Sequence, residues 1–407
     1  MSSEWAVRAR WVLPIVGDAI AGGTVRVRDG RISDVGDAAP AGAIDLGDAA
    51  ILPGFINVHT HLELTGYAGR LAPMPFWDWL PKLIALRRAP GAEEKEIDAA
   101  RQGAAASLAG GVTCVADISR TGRPFEALME SPIRKVCFFE LISGASDPPR
   151  DPDELRAAVD RFAEEIEGRN DSTVGVSPHT FYTVAWDDIR RTVALAGERD
   201  LPITMHFAET LEEVEWLESG SGRLAEFLAA FPTLRPFVLA HGDGMGLLHR
   251  AMMVRLRPLL AHCNYVSDAQ IEDLARTSCS VVFCPRAHRF FGHAPHRWRD
   301  MLRAGVNVCV GTDSLASNES LSILDELRFL RREAPDMPAT GLIEMATARG
   351  AKALGMHGAI GALQPGAWAD MVAIPLGGKT LDPAAAILDS DARVSRVWVG
   401  GGEVLPS

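Results

Sequence analysis

Nowhere does this 407-residue chain hold the ~18 consecutive apolar residues that a membrane-spanning helix needs. Its first residues, Met-Ser-Ser-Glu-Trp-Ala-Val-Arg, also lack the apolar stretch of a secretory leader, so a cytoplasmic location is expected. Basic side chains are in the minority, 41 against 53 acidic, and the formal charge is −12. That balance opposes binding to a polyphosphate, which excludes nucleic acid as a partner just as the missing apolar run excludes the membrane. The six cysteines (Cys114, Cys137, Cys263, Cys279, Cys284 and Cys309) form no C-x-x-C pair and lie in or beside apolar runs; they are expected to be buried, reduced thiols. Internal repeats, low-complexity tracts and a disordered tail are absent as well, and the Pro-rich patch at 147–152 reads as the start of a helix.

What is present is a hydrophobic content of 47%, enough for a substantial core in one large domain with an accessory piece. Residues 5–52 alternate short Val, Ile, Leu and Trp runs with Gly-Asp, Asp-Gly and Gly-Gly turns, the pattern of small hairpins. The same texture returns after residue 360, so a small β-sandwich domain is expected from 1–52 together with 359–407. Between them, in 53–358, apolar runs alternate with amphipathic helical stretches, which predicts parallel strands with helical crossovers. Eight such runs can be counted, at 54–59, 112–118, 135–142, 174–177, 203–207, 259–262, 280–284 and 306–311, with helices expected at 93–109, 152–167 and 211–230. Eight strand–helix units imply an α/β fold of the (β/α)8 TIM-barrel type. Residues 222–257 exceed the regular interval and read as a helical insertion.

Chemistry gathers where those runs end. The first ends in His59-Thr60-His61, and strand side chains two apart share a face, so both imidazoles can reach one ion. The fourth ends in His179, the fifth in His206, the sixth in His262 and the eighth in Asp313; in a barrel of this kind the C-terminal strand ends converge on one mouth. Three neutral imidazoles and a carboxylate (His59, His61, His206 and Asp313) suit one divalent ion, zinc or else iron, and leave a position for a water whose pKa the ion lowers towards ~7. The competing reading of Asp313 is a helix cap. Glu209, three residues after His206, is placed to move protons, against the plainer reading of a solvated carboxylate opening the acidic helix 211–218. His262 is preferred over His241 for polarising the attacked carbon or orienting the hydroxide, because His241 falls inside the insertion. His179, Arg286, His288, Ser314 and Trp77 are candidate substrate contacts. No lysine ends the fourth strand, so a bridged pair of metals has no carbamylated ligand there.

Together, His-x-His on the first strand, His206 with Glu209 on the fifth, His262 on the sixth and Gly311-Thr-Asp-Ser314 on the eighth resemble the mononuclear branch of the amidohydrolase superfamily. Leu52-Pro-Gly-Phe-Ile-Asn57 and Gly361-Ala-Leu-Gln-Pro-Gly-Ala-Trp-Ala-Asp-Met-Val372 extend the likeness to nearly the whole chain. Asn57-Val-His-Thr-His-Leu-Glu-Leu64, Phe76-Trp-Asp-Trp-Leu80 and the acidic run after His206 are similar to aminodeoxyfutalosine deaminases of the alternative menaquinone route. They are less similar to methylthioadenosine/S-adenosylhomocysteine deaminases and to triazine chlorohydrolases. The resemblance implies hydrolytic loss of ammonia from a 6-aminopurine, with Glu209 protonating the ring nitrogen and Asp313 taking a proton from the metal-bound water. A guanine-type deaminase, a triazine-type chlorohydrolase and a catalytically silent metal-binding barrel are the alternatives. The expected partner is a small-molecule substrate, with a homodimer left open, and the insertion departs from the shorter members of the group.

Overall fold

The computed structural model describes residues 4–143, 151–229 and 242–404. Eight parallel strands occupy the middle of the chain: β1 (Phe55–Thr60), β2 (Val112–Ser119), β3 (Arg134–Leu141), β4 (Ser172–Pro178), β5 (Thr204–Phe207), β6 (Leu259–His262), β7 (Ser280–Phe283) and β8 (Asn307–Val310). Every residue of β1, β2 and β3 is buried. Helices cover such strands on one side and side-chain layers on the other, which is why they read as unbroken apolar runs rather than as alternating ones.

The strands pair in parallel as two four-stranded sheets, β1 to β4 and β5 to β8, each in sequence order. Single parallel bridges join the sheets at both edges, Val176 with Ile203 and Thr60 with Asp313. The eight strands therefore follow one another in cyclic order, and all their C-terminal ends lie on one side. Among the described residues no helix is long and apolar enough to cross a membrane.

Both chain ends lie outside this ring. A six-stranded sheet takes its members from each, with Ala49–Pro53 antiparallel to Met371–Pro375. A second sheet of four strands comes from residues 4–45, and Val7, Val25, Val27, Ile32, Ile51, Met371 and Trp398 pack in a common core.

One expectation needs correction. The helix expected over 211–230 is two helices, Leu211–Ser219 and Arg223–Ala229, because Gly220 and Gly222 adopt left-handed backbone and end the first one. The insertion at 222–257 holds the second of these, the helix Gly244–Arg250 and a short 3-10 turn at Met253–Leu256. His241 and part of the Pro-rich patch lie outside the described residues. All six cysteines are buried and unpaired.

Candidate active site

At the shared end of the ring, β1 delivers His59 and His61, β5 delivers His206, β6 delivers His262, and the turn after β8 delivers Asp313. Nε2 of His59 and Nε2 of His61 each lie 3.9 Å from Oδ1 of Asp313, and the Nε2 atoms of His61 and His206 are 3.3 Å apart. Three sets of ring nitrogens and carboxylate oxygens gather tightly enough to share an ion, His59 with His61 and Asp313, His59 with His206 and His262, and His206 with His179 and Glu140. Neither nitrogen of the fully buried His59 has a hydrogen-bond partner among the described residues, nor does Nδ1 of His206. Burial, reinforced by the neighbouring imidazoles, holds His59 and His61 well below the usual histidine range and brings His206 down to about 4. Neutral imidazoles crowded nitrogen to nitrogen around a His59 that has no hydrogen-bond partner are the arrangement a divalent cation satisfies. The donor set fits one such ion.

Backbone strain is concentrated at the same strand ends. Ala208, His262, Cys263 and Asp313 all have left-handed φ values, between 48° and 73°, which non-glycine residues seldom adopt. Hydrogen bonds hold each turn. Glu213 accepts from the backbone N–H of Ala208 (3.1 Å) and of Glu209 (2.9 Å), while Thr210 Oγ1 accepts from Glu213 N. Asp313 Oδ2 accepts from Ser317 Oγ at 2.7 Å, and its carbonyl accepts from Thr60 Oγ1 at 3.0 Å. Asn57 on β1 donates to Thr312 Oγ1 and accepts from Thr312 N, which locks the first strand to the last. Gly311 is required by close approach, since a Cβ there would stand 2.9 Å from both the Cβ and the carbonyl oxygen of His59.

Glu209 is buried with Oε1 3.6 Å from His262 Nε2. Burial, then the charges of Asp313 and Glu213, pushes its carboxyl well above the ordinary range and favours the protonated acid. Burial raises Asp313 to about 6 against the opposing bond from Ser317. One acid held protonated beside one closer to ionisation is the pairing that acid–base chemistry requires.

A cavity of about 280 Å³ opens over this floor, and His61, His206, Glu209, His262 and Asp313 all line it. One wall is helix α1 (Phe76–Arg87), which presents Phe76, Trp79, Leu80, Leu83, Ile84 and Arg87, followed by Arg88, at helical spacing. The wall is apolar for three turns and cationic at its end. Arg87 is held by Glu63 (2.6 Å) and Glu96 (3.0 Å), and Ser119 donates to the other oxygen of Glu63.

Of the expected substrate contacts, His179 and Ser314 line the cavity. Trp77, Arg286 and His288 do not: Trp77 donates to Thr210 Oγ1 at 3.3 Å, Arg286 reaches Glu319 at 2.8 Å, and both His288 nitrogens are engaged by Asn264 and the Ala294 carbonyl. These three lie behind the lining. Glu63, Glu140 and Glu213 escaped sequence reasoning. Only Glu213 carried a local signal, the Thr210-Leu-Glu-Glu213 capping pattern.

The family model described as the amidohydrolase family matches residues 50–404. A 5-methylthioadenosine/S-adenosylhomocysteine deaminase of Haloarcula marismortui is 30% identical over 84% of this chain and 76% of its own length. An aminodeoxyfutalosine deaminase of Deinococcus radiodurans is 29% identical over 78% of this chain and 76% of its own. Among solved structures, an adenosine deaminase from Xanthomonas campestris with bound zinc superposes with a TM-score of 0.87 at 25% identity, covering 98% of this chain and 92% of that one.

Proposed function

The chain belongs to the amidohydrolase family, and from that premise we propose that it is a hydrolytic deaminase of an adenosine-type nucleoside, holding one divalent ion, zinc, between His59, His61, His206 and Asp313. The observation that carries this reading is geometric: Glu209, buried 3.6 Å from His262, lines the same cavity floor as the imidazole cluster, where burial favours its protonated form. When bound, the ion supplies a water acidic enough to attack at neutral pH.

The chain's own groups then divide the proton traffic. Asp313 accepts the proton of the attacking water, whose oxygen bonds to C6 of the purine. Glu209 delivers its proton to the ring nitrogen next to C6, so that water has added across the C=N bond. His262 Nε2, 3.6 Å from Glu209, orients the attack. Collapse of the tetrahedral carbon breaks the C–N bond as the amino group takes up the proton held by Asp313 and the C6 hydroxyl passes its proton to Glu209, which restores the acid, and ammonia leaves a 6-oxopurine. Water is excluded from the reacting atoms by Leu64, Phe76, Trp79 and Phe291.

For the substrate we favour 6-amino-6-deoxyfutalosine. The cavity wall made by α1 runs on for about 18 Å at 1.5 Å per residue and ends at Arg88, the cation beyond the Arg87 that Glu63 and Glu96 already neutralise. A nucleoside with a long apolar substituent that ends in a carboxylate matches that sequence of surfaces better than adenosine does. The same reading divides the chain into a barrel at 53–358 and a small β-domain of 1–52 plus 359–407.

Ammonia release from aminodeoxyfutalosine, S-adenosylhomocysteine, methylthioadenosine, adenosine and guanine by protein of measured metal content tests this. The expected result is the highest kcat/KM on the first. A Glu209→Gln protein is expected to keep its metal and lose roughly 10²- to 10⁴-fold in kcat. Metal-loaded protein that releases no ammonia from any of the five, or wild-type turnover by Glu209→Gln, overturns the reading.

A further inference from the structure

The two strained strand ends that carry Glu209 and His262 are tied to each other and to side chains that do not line the cavity. Along β5, Phe207 accepts from Cys263 N at 2.8 Å and Ala208 from Tyr265 N at 3.1 Å. The Asn264 side chain donates to the Glu209 carbonyl at 2.9 Å. From beyond β7, His296 Nε2 donates to the His262 carbonyl at 2.8 Å, and its ring stacks on Phe283 with centroids 4.0 Å apart. His288 Nδ1 lies 3.1 Å from the Asn264 side-chain oxygen on the same side. None of Asn264, His288 and His296 lines the cavity.

The chain at His262-Cys263 is left-handed at two successive non-glycine residues, with φ of 73° and 53°, and Ala208 opposite is left-handed as well. Such backbone relaxes unless its surroundings over-determine it. The carbonyl that His296 holds belongs to the residue whose imidazole faces Glu209. Rotating that peptide back towards a right-handed or extended conformation would swing the imidazole away from the carboxyl 3.6 Å distant.

We propose that His296, with Asn264 behind it, is a positioning residue for the reaction: the two act through the His262 and Glu209 main chains to hold the acid–base pair in register. This rests on the deaminase reading above. Neither residue touches substrate or the reacting atoms. Their loss therefore acts on the chemical step and leaves binding along the α1 wall as it was.

The test begins with wild-type protein releasing ammonia from its best substrate; failure at that stage counts against the deaminase reading and not against the clamp. His296→Phe keeps the ring stacked on Phe283 and removes only the donor. It is expected to lower kcat about 10- to 100-fold, the effect of a misplacement of about an ångström, with KM and metal content within twofold of wild type. His296→Gln, which restores an N–H donor, is expected to recover most of the loss. Amide exchange is expected to speed up at Cys263 and Tyr265 in the phenylalanine variant and not in the glutamine one. Should His296→Phe fail to fold, Asn264→Ala is measured in the same way. Unchanged kcat in an active background, or a loss of kcat that follows loss of metal and is not recovered by glutamine, overturns the proposal.

Discussion

Two groups of histidines, an inner one at the cavity floor and a half-buried outer one, lie within a few ångströms of one another, and they are held in different ways. In the inner group, His59 has no hydrogen-bond partner, and His61 and His206 turn nitrogens towards each other at 3.3 Å. In the outer group each ring is anchored to something other than a histidine: His288 to Asn264 and the Ala294 carbonyl, His293 to Tyr265 and His296 to the His262 carbonyl. Both groups are held below the usual histidine range by burial. Depressed basicity therefore does not separate them, and neither does one idle nitrogen, since His293 Nε2 and His296 Nδ1 also lack partners among the described residues. What separates them is that the inner rings face one another around a His59 with both nitrogens idle, whereas each outer ring is fastened through one nitrogen to a neighbour that is not a histidine.

The sharpest way to break this contrast is to remove a member of the inner group. His59→Ala is expected to lose stoichiometric metal by elemental analysis, with ammonia release at background even in added zinc. Chelated wild-type protein is expected to recover on zinc addition. A variant that binds metal normally would erase the distinction between the groups.

A smaller effect is expected at Glu326, which joins the two regions. Its carboxyl accepts from Asn318, whose amide also donates to the Thr312 carbonyl below Asp313, and from the backbone of Arg286 in the outer segment. Burial raises Glu326 to about 8, so the folded protein keeps this proton where the unfolded chain, with an ordinary value near 4.5, has lost it. The contribution to stability is thus complete below about pH 4.5 and disappears as the pH rises through about 8. Glu326→Gln is expected to flatten the fall of stability with pH across that window, by up to about 1.4 kcal/mol per pH unit. Thermal melts at several pH values measure it, and an unchanged slope would show that the proton is not held there.

Least of all is expected in the outer group. His293→Phe removes the partner of the Tyr265 hydroxyl and should lower stability by about 0.5–1.5 kcal/mol with metal stoichiometry intact. Loss of metal from this variant would mean that the groups are not separable.

How far the sequence could be read follows from the range of each interaction. The eight strands were legible to within one or two residues because parallel strands buried on both faces leave unbroken apolar runs. Their polar C-terminal residues brought His59, His61, His206, His262 and Asp313 to notice, and the structure gathers those five at one end of the ring. Arg286 and His288 were placed in the cavity by the same logic. There the logic lapses, because a helix begins at Pro285 and side chains turn by about 100° per residue instead of alternating. Glu213 looked like a solvated face in Leu-Glu-Glu-Val-Glu, yet it is fully buried beneath Glu209. Glu63 entered only as a letter of the Asn57–Leu64 motif, and Glu140 not at all, since their surroundings come from strands and helices far along the chain.

The bond between Asn57 and Thr312 joins residues 255 positions apart. A ribosome that has just made His59 must add most of the remaining chain before Gly311 can slide beneath it and Asp313 can face it. Until then the first strand lacks its partner across the seam, and His59 and His61 lack the carboxylate of Asp313. The cluster of imidazoles and carboxylate is thus completed only by the closing of the ring, an event late in the life of the nascent chain.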